Sequence, residues 1–347
     1  MVKIAINGFG RIGRLALRRI LSHHPDIQVL AINDLADLKT IAYLLKHDSV
    51  YGDFEKEISL GKEANAGAIG SLLIEGSQIL VFGESNPLNL PWAELKIDLV
   101  IESTGRFTSK KDASQHLKAG AKKVIISANS KDADLSVVLG VNEKNYDPKK
   151  HGVVANCSCT TNCAAPVMKV LDENFGVEKA QLMTVHAVTA SQSLIDQPKK
   201  DLREGRAAFS NIVPDSTGAA EAVSRVLPNL EKKISGSAFR VPVLAGSVLE
   251  VVAQVEKETS VEEINKAFTE AAKGSLKGIL EVSEEPLVSS DIIGTSFSAI
   301  IDLPLTEVMD VPDIKDKNLV KIVAWYDNEY GYACRLTELA EFIGKKL

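Results

Sequence analysis

The sequence predicts two domains, an α/β domain with a parallel sheet followed by an α+β domain with a mostly antiparallel sheet. Its 347 residues exceed the roughly 150 that one domain usually contains. In the first part, short β-rich runs alternate with helical patterns, which is typical of a parallel sheet. In the second part, longer strand-like runs at residues 247–256 and 295–303 favour antiparallel pairing.

Composition limits the classes of function. Hydrophobic residues make up 45% and charged residues 25% of the chain, as in ordinary globular proteins. The 40 basic and 46 acidic residues leave a net charge of −6, which argues against nucleic acid or anionic lipid as a partner. No apolar run approaches the roughly 18 residues of a membrane span, and the N-terminus lacks a signal-peptide pattern. Three of the four cysteines lie between residues 157 and 163, a poor disulfide framework that predicts a cytoplasmic location.

The first predicted strand, residues 3–7, leads directly into a glycine-rich turn and a helix that ends near His23. A second strand at 27–32 ends just before Asp34. The turn has the sequence Gly8-Phe9-Gly10-Arg11-Ile12-Gly13. Asp34 follows Gly13 by 21 residues (34 − 13), close to the ~20 expected of a dinucleotide-binding fingerprint. The sequence therefore predicts a Rossmann-type domain here.

Each glycine of this pattern, and the acid that follows it, has a physical role. Gly8 permits the tight turn, Gly10 lets a pyrophosphate approach the backbone, and Gly13 lets the helix lie close to the sheet. Free N–H groups at the helix start then face the phosphates. Asp34 is expected to accept hydrogen bonds from the adenine ribose and to repel a 2′-phosphate, which favours NAD over NADP. An ordinary glycine turn is the alternative, and the register of strands, helix and acid favours the dinucleotide.

Further strands are predicted to end in polar residues on the same edge of this sheet. Residues 98–103 form an apolar run that ends in Ser103-Thr104-Gly105, and residues 124–127 form another that ends at Ser127. A helix is predicted between them at 110–119, and irregular strands at 58–83. The carboxyl ends of parallel strands form the ligand-binding edge in such sheets.

The stretch around Cys159 indicates nucleophilic chemistry. Pro166 is best placed in an early helical turn, so Cys159 is predicted at or just before a helix N-terminus. A helix N-terminus lowers a thiol pKa from its reference value of about 8.5. His186 ends a predicted strand, and a cysteine with a nearby histidine is the pattern of an activated nucleophile.

The same residues allow other interpretations. Cys157, Cys159 and Cys163, with His186, have the residue types of a structural zinc site, or they are plain buried thiols. Cys163 is interpreted as a packing residue, with a redox role as a disulfide partner as the lesser alternative. The residue types alone leave these alternatives open; we predict that no metal is bound.

Six motifs occur in one order along the whole chain. They are Gly8-Phe9-Gly10-Arg11-Ile12-Gly13, Glu102-Ser103-Thr104-Gly105-Arg106-Phe107, Ser158-Cys159-Thr160-Thr161-Asn162-Cys163, Ser216-Thr217-Gly218-Ala219-Ala220, Phe239-Arg240-Val241-Pro242 and Trp325-Tyr326-Asp327-Asn328-Glu329-Tyr330-Gly331-Tyr332. This series resembles the phosphorylating glyceraldehyde-3-phosphate dehydrogenase family. The hexapeptide around Cys159 is the most specific of the six.

The resemblance implies a reaction and residues that perform it. NAD would oxidise D-glyceraldehyde 3-phosphate through a thioester on Cys159, and inorganic phosphate would release 1,3-bisphosphoglycerate, as in glycolysis and gluconeogenesis. His186 would be the general base. Thr189 and Arg240 would hold the substrate phosphate. The residues implied around the attacking phosphate are Ser158, Thr160, Arg206, Thr217 and Gly218.

The resemblance also implies cofactor contacts and organisation. Asn328 would fix the nicotinamide carboxamide, with Tyr332 nearby. Residues 1–158 would form the NAD-binding domain, onto which the helix at 330–347 packs back, and 159–329 the catalytic domain. A homotetramer is implied, with the loop at 188–213 between subunits. The cofactor set is Gly8, Phe9, Gly10, Arg11, Ile12, Gly13, Asp34, Ser103, Thr104, Gly105, Ser127, Asn328 and Tyr332.

Several positions depart from the family pattern. They are Asn129, Ser191, Asp215, Glu221 and the segment Val243-Leu244-Ala245-Gly246. Added negative charge near a phosphate site is expected to weaken phosphate binding. The departures leave erythrose-4-phosphate dehydrogenase as an alternative activity. An NAD-binding redox sensor with weak catalysis is the alternative from another class.

Overall fold

The computed structural model describes residues 1–61, 66–309 and 318–347. The chain divides into two compact units. The first comprises Met1–Val137, Lys144–Cys157 and Ala333–Leu347, and the second comprises Val138–Glu143 and Ser158–Tyr332. Within the described ranges, no helix combines the length and the apolar character needed to cross a bilayer.

The first unit is built on a sheet in which seven strands pair in parallel and a short antiparallel meander covers one edge. Its strands are β1 (Val2–Asn7), β2 (Ile27–Asn33), β3 (Ile58–Gly61), β4 (Gly70–Ile74), β5 (Ser77–Phe82), β6 (Leu99–Glu102), β7 (Lys123–Ile126), β8 (Leu135–Ser136) and β9 (Val153–Ala155). Their spatial order is β3-β4-β5-β2-β1-β6-β7-β9-β8, with β3, β4 and β5 antiparallel. Its helices are α1 (Arg11–His23), α2 (Leu38–Lys46), α3 (Trp92–Leu95) and α4 (Lys110–Lys118). The predicted Rossmann-type α/β architecture is confirmed.

The hydrophobic core of this unit explains why its strands are so apolar. Parallel strands with helices on both faces bury both sets of side chains. In β6 and β7 every residue is buried, including Leu99, Val100 and Ile125, each fully inaccessible to solvent. At the carboxyl end of β6, however, the last buried residue is Glu102. A buried carboxylate is stable only if it is fully hydrogen-bonded.

Glu102 is the centre of a buried polar network. One carboxylate oxygen accepts hydrogen bonds from Asn7 Nδ2 and, at 3.0 Å, from His116 Nε2. The other accepts from the backbone N–H of Thr104 at 2.9 Å and from its hydroxyl. Trp92 Nε1, which can only donate, donates to His116 Nδ1 at 3.0 Å, so the imidazole proton lies on Nε2. The network joins the ends of β1 and β6 to α3 and α4.

Replacing Glu102 by glutamine is expected to lower the free energy of unfolding by about 3 kcal/mol. Each carboxylate oxygen of Glu102 accepts hydrogen bonds from two donors. In glutamine, an NH₂ group replaces one of these oxygens, and this group is itself a donor that cannot accept either hydrogen bond. Chemical denaturation measures the loss. Glu94→Gln, on the exposed side of α3, is the control and should change stability by less than about 0.5 kcal/mol. Equal stabilities of the two variants would contradict the role of the network.

The second unit contains a mostly antiparallel sheet, as predicted. Its described strands are β10 (Val177–His186), β11 (Val213–Asp215), β12 (Ile234–Arg240), β13 (Ser247–Val255), β14 (Leu280–Ser283), β15 (Ala299–Asp302), β16 (Glu307–Val308) and β17 (Leu319–Tyr326). Their order is β11-β12-β10-β13-β17-β15-β14, with β16 beside β17; only β10–β12 and β14–β15 pair in parallel among the described residues. The helices are α5 (Cys159–Phe175), α6 (Ala219–Val226), α7 (Val261–Lys273) and α8 (Tyr330–Gly344), whose later turns belong to the first unit.

Local signals of the second unit mostly agree with the structure. The capping box at Ser260 and Glu263 opens α7 as predicted. The strand predicted from 295 begins only at Ala299, because Thr295 closes a turn by donating its N–H to the carbonyl of Ile292 at 3.2 Å. Pro166 lies in the interior of α5 rather than in an early turn. The prediction that α5 starts at Cys159 is right, although the argument from proline was not.

Candidate active site

The glycine turn before α1 has the geometry that its sequence predicts. Gly8 has a φ of +90°, and a Cβ added there would lie 2.5 Å from the backbone nitrogen of Thr104. A Cβ added at Gly13 would lie 2.2 Å from the carbonyl oxygen of Gly8. Both positions therefore require glycine. At Gly10 the space is open, with no atom within 4 Å of an added Cβ.

That open space belongs to a cleft of about 250 Å³ in the first unit. Of the predicted cofactor residues, the structure brings Gly8, Gly10, Asp34, Ser103 and Thr104 to its walls. A dinucleotide needs backbone that it can approach closely and a helix start that supplies N–H groups, and the cleft has both at Gly10 and the first turn of α1. The residues present fit NAD.

Asp34 also shapes the turn, a role that its position in the fingerprint does not reveal. One carboxylate oxygen accepts a hydrogen bond from the N–H of Phe9 at 2.7 Å, and the other accepts from Ala36 at 3.0 Å. Ser103 donates its hydroxyl hydrogen to the carbonyl of Gly8 at 2.7 Å. These contacts connect the residues that follow β2 and β6 to the glycine turn.

The remaining predicted cofactor residues of the first unit lie around this turn. Phe9 is buried, and Ile12 is half-buried in α1. Arg11 forms an ion pair with Asp48 at 2.6 Å. Gly105, with a φ of +71°, follows Thr104, and Ser127 follows β7, with its N–H bonded to the carbonyl of Glu102 at 2.8 Å.

The candidate nucleophile is the first residue of α5. Ser158 is the N-cap, and its hydroxyl oxygen accepts from the backbone N–H of Thr161 at 3.1 Å. Cys159 is partly accessible to solvent, whereas Cys163, one turn further along the same helix, is buried. Cys159 Sγ lies 3.3 Å from His186 Nε2, so the structure brings together the two residues predicted for catalysis.

His186 is buried at the end of β10 and has a second, shared contact at its other ring nitrogen. Nδ1 lies 2.7 Å from the carbonyl oxygen of Ala187 and 2.6 Å from Nη1 of Arg240. The ring packs edge to face against Tyr326, with ring centroids 6.0 Å apart. Arg240 is the last residue of β12 and pairs directly with His186 in the sheet register.

Burial and the guanidinium of Arg240 control the proton affinities of this pair. Burial, reinforced by the positive charge of Arg240, lowers the pKa of His186 to about 4. Desolvation of the sulfur raises the pKa of Cys159, although Arg240 and the N–H of Thr160 act in the opposite direction. The predicted net lowering of the thiol pKa is therefore wrong, because desolvation outweighs the helix start. In this geometry His186 Nε2 is placed to take the proton of the Cys159 thiol.

Two predicted phosphate-binding threonines lie at helix starts in the second unit. Thr160, in the first turn of α5, shares a hydrogen bond of 3.0 Å with the hydroxyl of Tyr326, which also contacts Thr184 at 2.7 Å. Thr217 accepts from the N–H of Ala219 at 3.1 Å, next to the N-cap Gly218 of α6. Sequence reasoning gave Tyr326 and Thr184 no role, because their contacts join a helix and two strands that are far apart in the chain.

The other predicted substrate residues have partners of their own. Thr189 Oγ1 shares a hydrogen bond of 3.0 Å with Ser191 and donates to Gln192 Oε1 at 3.3 Å. Arg206 is exposed and forms an ion pair with Asp196 at 3.1 Å, a partner in its own loop. The structure therefore does not join Arg206 to the Cys159 pair by any contact described for these residues.

Asn328 is buried in the second unit with a fixed amide orientation. Its Oδ1 accepts from the N–H of Gly246 at 3.1 Å and from the hydroxyl of Ser247 at 3.0 Å. Since both partners donate, Nδ2 is the end of the amide left to act as a donor. Tyr332 is buried in the first turn of α8. The assignment of both residues to the cofactor stays a prediction.

The zinc-site alternative requires at least three ligating side chains close together. Among residues 1–61, 66–309 and 318–347, no three histidine, cysteine or carboxylate side chains lie together as a metal site would require.

Comparison with known proteins identifies the family. Residues 2–110 match the family model described as glyceraldehyde 3-phosphate dehydrogenase, NAD binding domain, and residues 158–328 match the model described as its C-terminal domain. The chain is 51% identical over 345 residues to glyceraldehyde-3-phosphate dehydrogenase of Geobacillus stearothermophilus, with 99% of both chains covered. It is 48% identical over 346 residues to glyceraldehyde-3-phosphate dehydrogenase 2 of Streptomyces avermitilis, with 100% of this chain and 99% of the relative covered. With both family models matched and half of all residues identical over its full length, the chain belongs to the glyceraldehyde-3-phosphate dehydrogenase family.

Proposed function

We propose that the protein catalyses the NAD-dependent oxidative phosphorylation of D-glyceraldehyde 3-phosphate to 1,3-bisphosphoglycerate. The observation that carries the proposal is the 3.3 Å contact between Cys159 Sγ and His186 Nε2 at the start of α5. NAD is the cofactor, since the NAD-binding family model covers residues 2–110. When bound, NAD accepts a hydride from the substrate carbon.

The chain's own groups perform the covalent chemistry. His186 Nε2 takes the proton of Cys159 as the sulfur bonds to the aldehyde carbon, which gives a hemithioacetal. The resulting imidazolium stabilises the oxygen that becomes negative and then gives it the proton, which leaves a hemithioacetal hydroxyl and a neutral imidazole. His186, once neutral again, takes the hemithioacetal hydroxyl proton when the carbon is oxidised, and a thioester remains on Cys159. Inorganic phosphate attacks this carbonyl carbon, the acyl phosphate leaves, and the thiolate regains a proton from His186.

The anion sites are proposed on the residues that the family resemblance implies. Arg240 and Thr189 hold the substrate phosphate, because a guanidinium matches phosphate geometry and Arg240 already contacts His186. The attacking phosphate binds at Ser158, Thr160, Arg206, Thr217 and Gly218. The starts of α5 and α6 support this site with backbone N–H groups. Arg206 would have to leave Asp196 to take part.

The test of the reaction is NADH formation from glyceraldehyde 3-phosphate and NAD, with and without inorganic phosphate. We expect steady turnover that depends on phosphate. A single burst equal to the number of active sites, unaffected by phosphate, would contradict the second anion site. A higher kcat/KM for erythrose 4-phosphate would overturn the substrate assignment. NAD binding with no NADH formed in fully reduced protein would support the redox sensor instead.

Replacing Gly10 by alanine tests the cofactor site without touching the chemistry. The added methyl group meets no protein atom within 4 Å, so the free energy of unfolding should change by less than about 1 kcal/mol. The methyl enters the cleft, however, and we expect the Kd for NAD, measured by calorimetry, to rise about tenfold. Gly83→Ala, whose Cβ would lie 3.6 Å from Ile69 and outside the cleft lining, is the control. Wild-type affinity in Gly10→Ala would contradict the site.

Assembly into a homotetramer is part of the proposal. Large apolar side chains of the loop at 188–213 are strongly exposed, with Leu194 72%, Leu202 83% and Ile212 68% accessible. Burial of these side chains against a second subunit would remove their apolar surface from water, which supports the proposed assembly. Light scattering that gave a monomer would contradict this assembly.

The compact units support the predicted domain division at residue 158, and a cytoplasmic location stays a prediction from the cysteine pattern.

A further inference from the structure

We propose that Asp215 is a positioning residue of this active site: it holds the Arg240 guanidinium against His186 and offsets the attraction of Arg240 for the substrate phosphate. The inference rests on the proposed function for the identity of the reaction. It goes beyond that function because no role for residue 215 is implied by the family motifs, and this position is one at which the chain departs from the usual pattern.

The sheet register places three groups on three adjoining strands. β12 lies between β11 and β10. Val213 of β11 pairs with Arg240 of β12, so Asp215 is two residues along from that pair, which is within diagonal reach of a long side chain. On the other side Arg240 pairs with His186. The order Asp215, Arg240, His186 is therefore set by backbone pairing rather than by a loop.

The side chains are in contact along this line. Nε of Arg240 donates to one oxygen of Asp215 at 3.0 Å, Nη2 forms an ion-pair contact with the same oxygen at 3.0 Å, and Nη1 lies 2.6 Å from His186 Nδ1. Only 18% of the Arg240 side chain and 12% of the Asp215 side chain are exposed, so solvent screens the pair weakly. A guanidinium has five N–H donors, so N–H groups on Nη1 and Nη2 remain for an anion beside these contacts. Asp215 thus determines which edge of Arg240 faces the substrate.

The contact at His186 Nδ1 shows why the position of Arg240 matters for the chemistry. Nδ1 can donate to the carbonyl of Ala187 or accept from Arg240, but one nitrogen cannot do both. In the first case Nε2 accepts the proton of Cys159, and in the second Nε2 carries a proton and donates to the sulfur. Proton transfer from Cys159 requires the first arrangement, in which Arg240 faces Nδ1 as a positive charge, and the carboxylate of Asp215 offsets that charge.

The charge of Asp215 acts in two directions. Its carboxylate raises the pKa of His186, against the larger lowering by burial and by Arg240. It therefore favours the imidazolium that forms when Cys159 gives up its proton. The same carboxylate repels a phosphate dianion that approaches Arg240, so it weakens binding of a phosphorylated substrate. The first effect is independent of the substrate phosphate, and the second exists only when that phosphate is present.

Asp215→Asn separates these effects, because asparagine keeps the size and an acceptor oxygen but loses the charge. The substrates are glyceraldehyde 3-phosphate and unphosphorylated D-glyceraldehyde. We expect kcat to fall about fivefold for both aldehydes and KM to fall about fivefold for the phosphorylated one alone. Glu178→Gln, which removes a carboxylate at the opposite end of β10 from His186, is the control and should match the wild type. A wild-type kcat in Asp215→Asn, or an unchanged ratio of the two KM values, would overturn the proposal.

A second measurement does not depend on turnover. Iodoacetamide alkylation of Cys159 in NAD-free protein is followed against pH for the same variants and for Asp215→Ala. The loss of the carboxylate leaves Arg240 uncompensated beside the sulfur, so the midpoint should move to lower pH in Asp215→Asn and stay unchanged in Glu178→Gln. The titratable and charged groups that face Cys159 and His186 are Arg240, Asp215, Cys163 and Tyr326.

The outcomes separate the two proposals. If the wild type oxidises neither aldehyde, the proposed function fails, while the alkylation profiles still test Asp215. If the wild type is active and the alkylation profiles of Asp215→Asn and wild type coincide, the role of Asp215 fails alone. Asp215→Ala, which also removes the acceptor, should lose more of kcat than Asp215→Asn; an equal loss would overturn the claim that Asp215 holds the guanidinium in place.

Discussion

Replacing Cys159 by serine is expected to reduce steady NADH formation by about four orders of magnitude or more. A serine hydroxyl at the start of α5 is a far weaker nucleophile than the thiol, and the neutral imidazole at 3.3 Å is too weak a base to compensate, since its pKa is about 4. A serine adduct would also give an oxygen ester rather than a thioester, which phosphate attacks less readily. The measurement is the steady-state rate with saturating phosphate, together with the burst amplitude.

Cys163→Ser is the matched control for this prediction. It makes the same change in the same helix, one turn further along, at a thiol that is buried and whose pKa desolvation raises well above the usual value. We expect turnover within about threefold of the wild type. If Cys159→Ser kept more than about 1% of the activity, or if Cys163→Ser lost as much, the assignment of the nucleophile would be wrong.

Replacing His186 by asparagine is expected to lower kcat about a thousandfold and to change the dependence of rate on pH. In the wild type, the neutral base is present above a pKa of about 4, and the raised thiol pKa keeps the proton on sulfur up to alkaline pH. The rate should therefore be nearly constant from about pH 5 to pH 8 and fall as the pH drops through 4. Without the imidazole the reaction needs a preformed thiolate, so the rate should rise about tenfold per pH unit through neutrality.

Rate profiles of the two proteins over the same pH range check this prediction. His47→Asn, at an exposed imidazole paired with Asp53 in the first unit, should keep the wild-type profile. A wild-type rate that already rises tenfold per unit between pH 5 and pH 8 would show that the thiol reacts without help from His186. Parallel profiles for His186→Asn and wild type would lead to the same conclusion.

Much of the fold follows from local sequence signals. The glycine fingerprint, with strands on either side and an acid at the expected distance, predicts β1, α1 and β2, and their bounds agree closely with Val2–Asn7, Arg11–His23 and Ile27–Asn33. Such signals succeed because turn geometry, helix capping and alternating burial are properties of neighbouring residues. The start predicted for the strand at Thr295 was wrong, because the N–H of Thr295 is hydrogen-bonded to the carbonyl of Ile292 in a turn.

The candidate site was predicted less completely. Residue types and their order locate Cys159 and His186, which the structure brings to 3.3 Å. The direction of the thiol pKa was wrong because desolvation depends on the packing around the sulfur, and no local pattern describes that packing. Asp215 was recognised only as added negative charge; its contact with Arg240 depends on the pairing of β11 with β12, between residues 25 positions apart in the chain.

The hydroxyl of Tyr326 has a consequence for how this active site can change during evolution. It contacts Thr160 in the first turn of α5 and Thr184 on β10, and so joins the helix that carries Cys159 to the strand that carries His186. The distance between the sulfur of Cys159 and the imidazole of His186 is thereby fixed by α5, β10 and β17 and by the hydroxyl of Tyr326 that connects them. Loops outside these elements, such as those at Ser191 and at residues 243–246, can then accumulate substitutions without altering that distance. Substrate preference and the central chemistry are, in this architecture, separately evolvable.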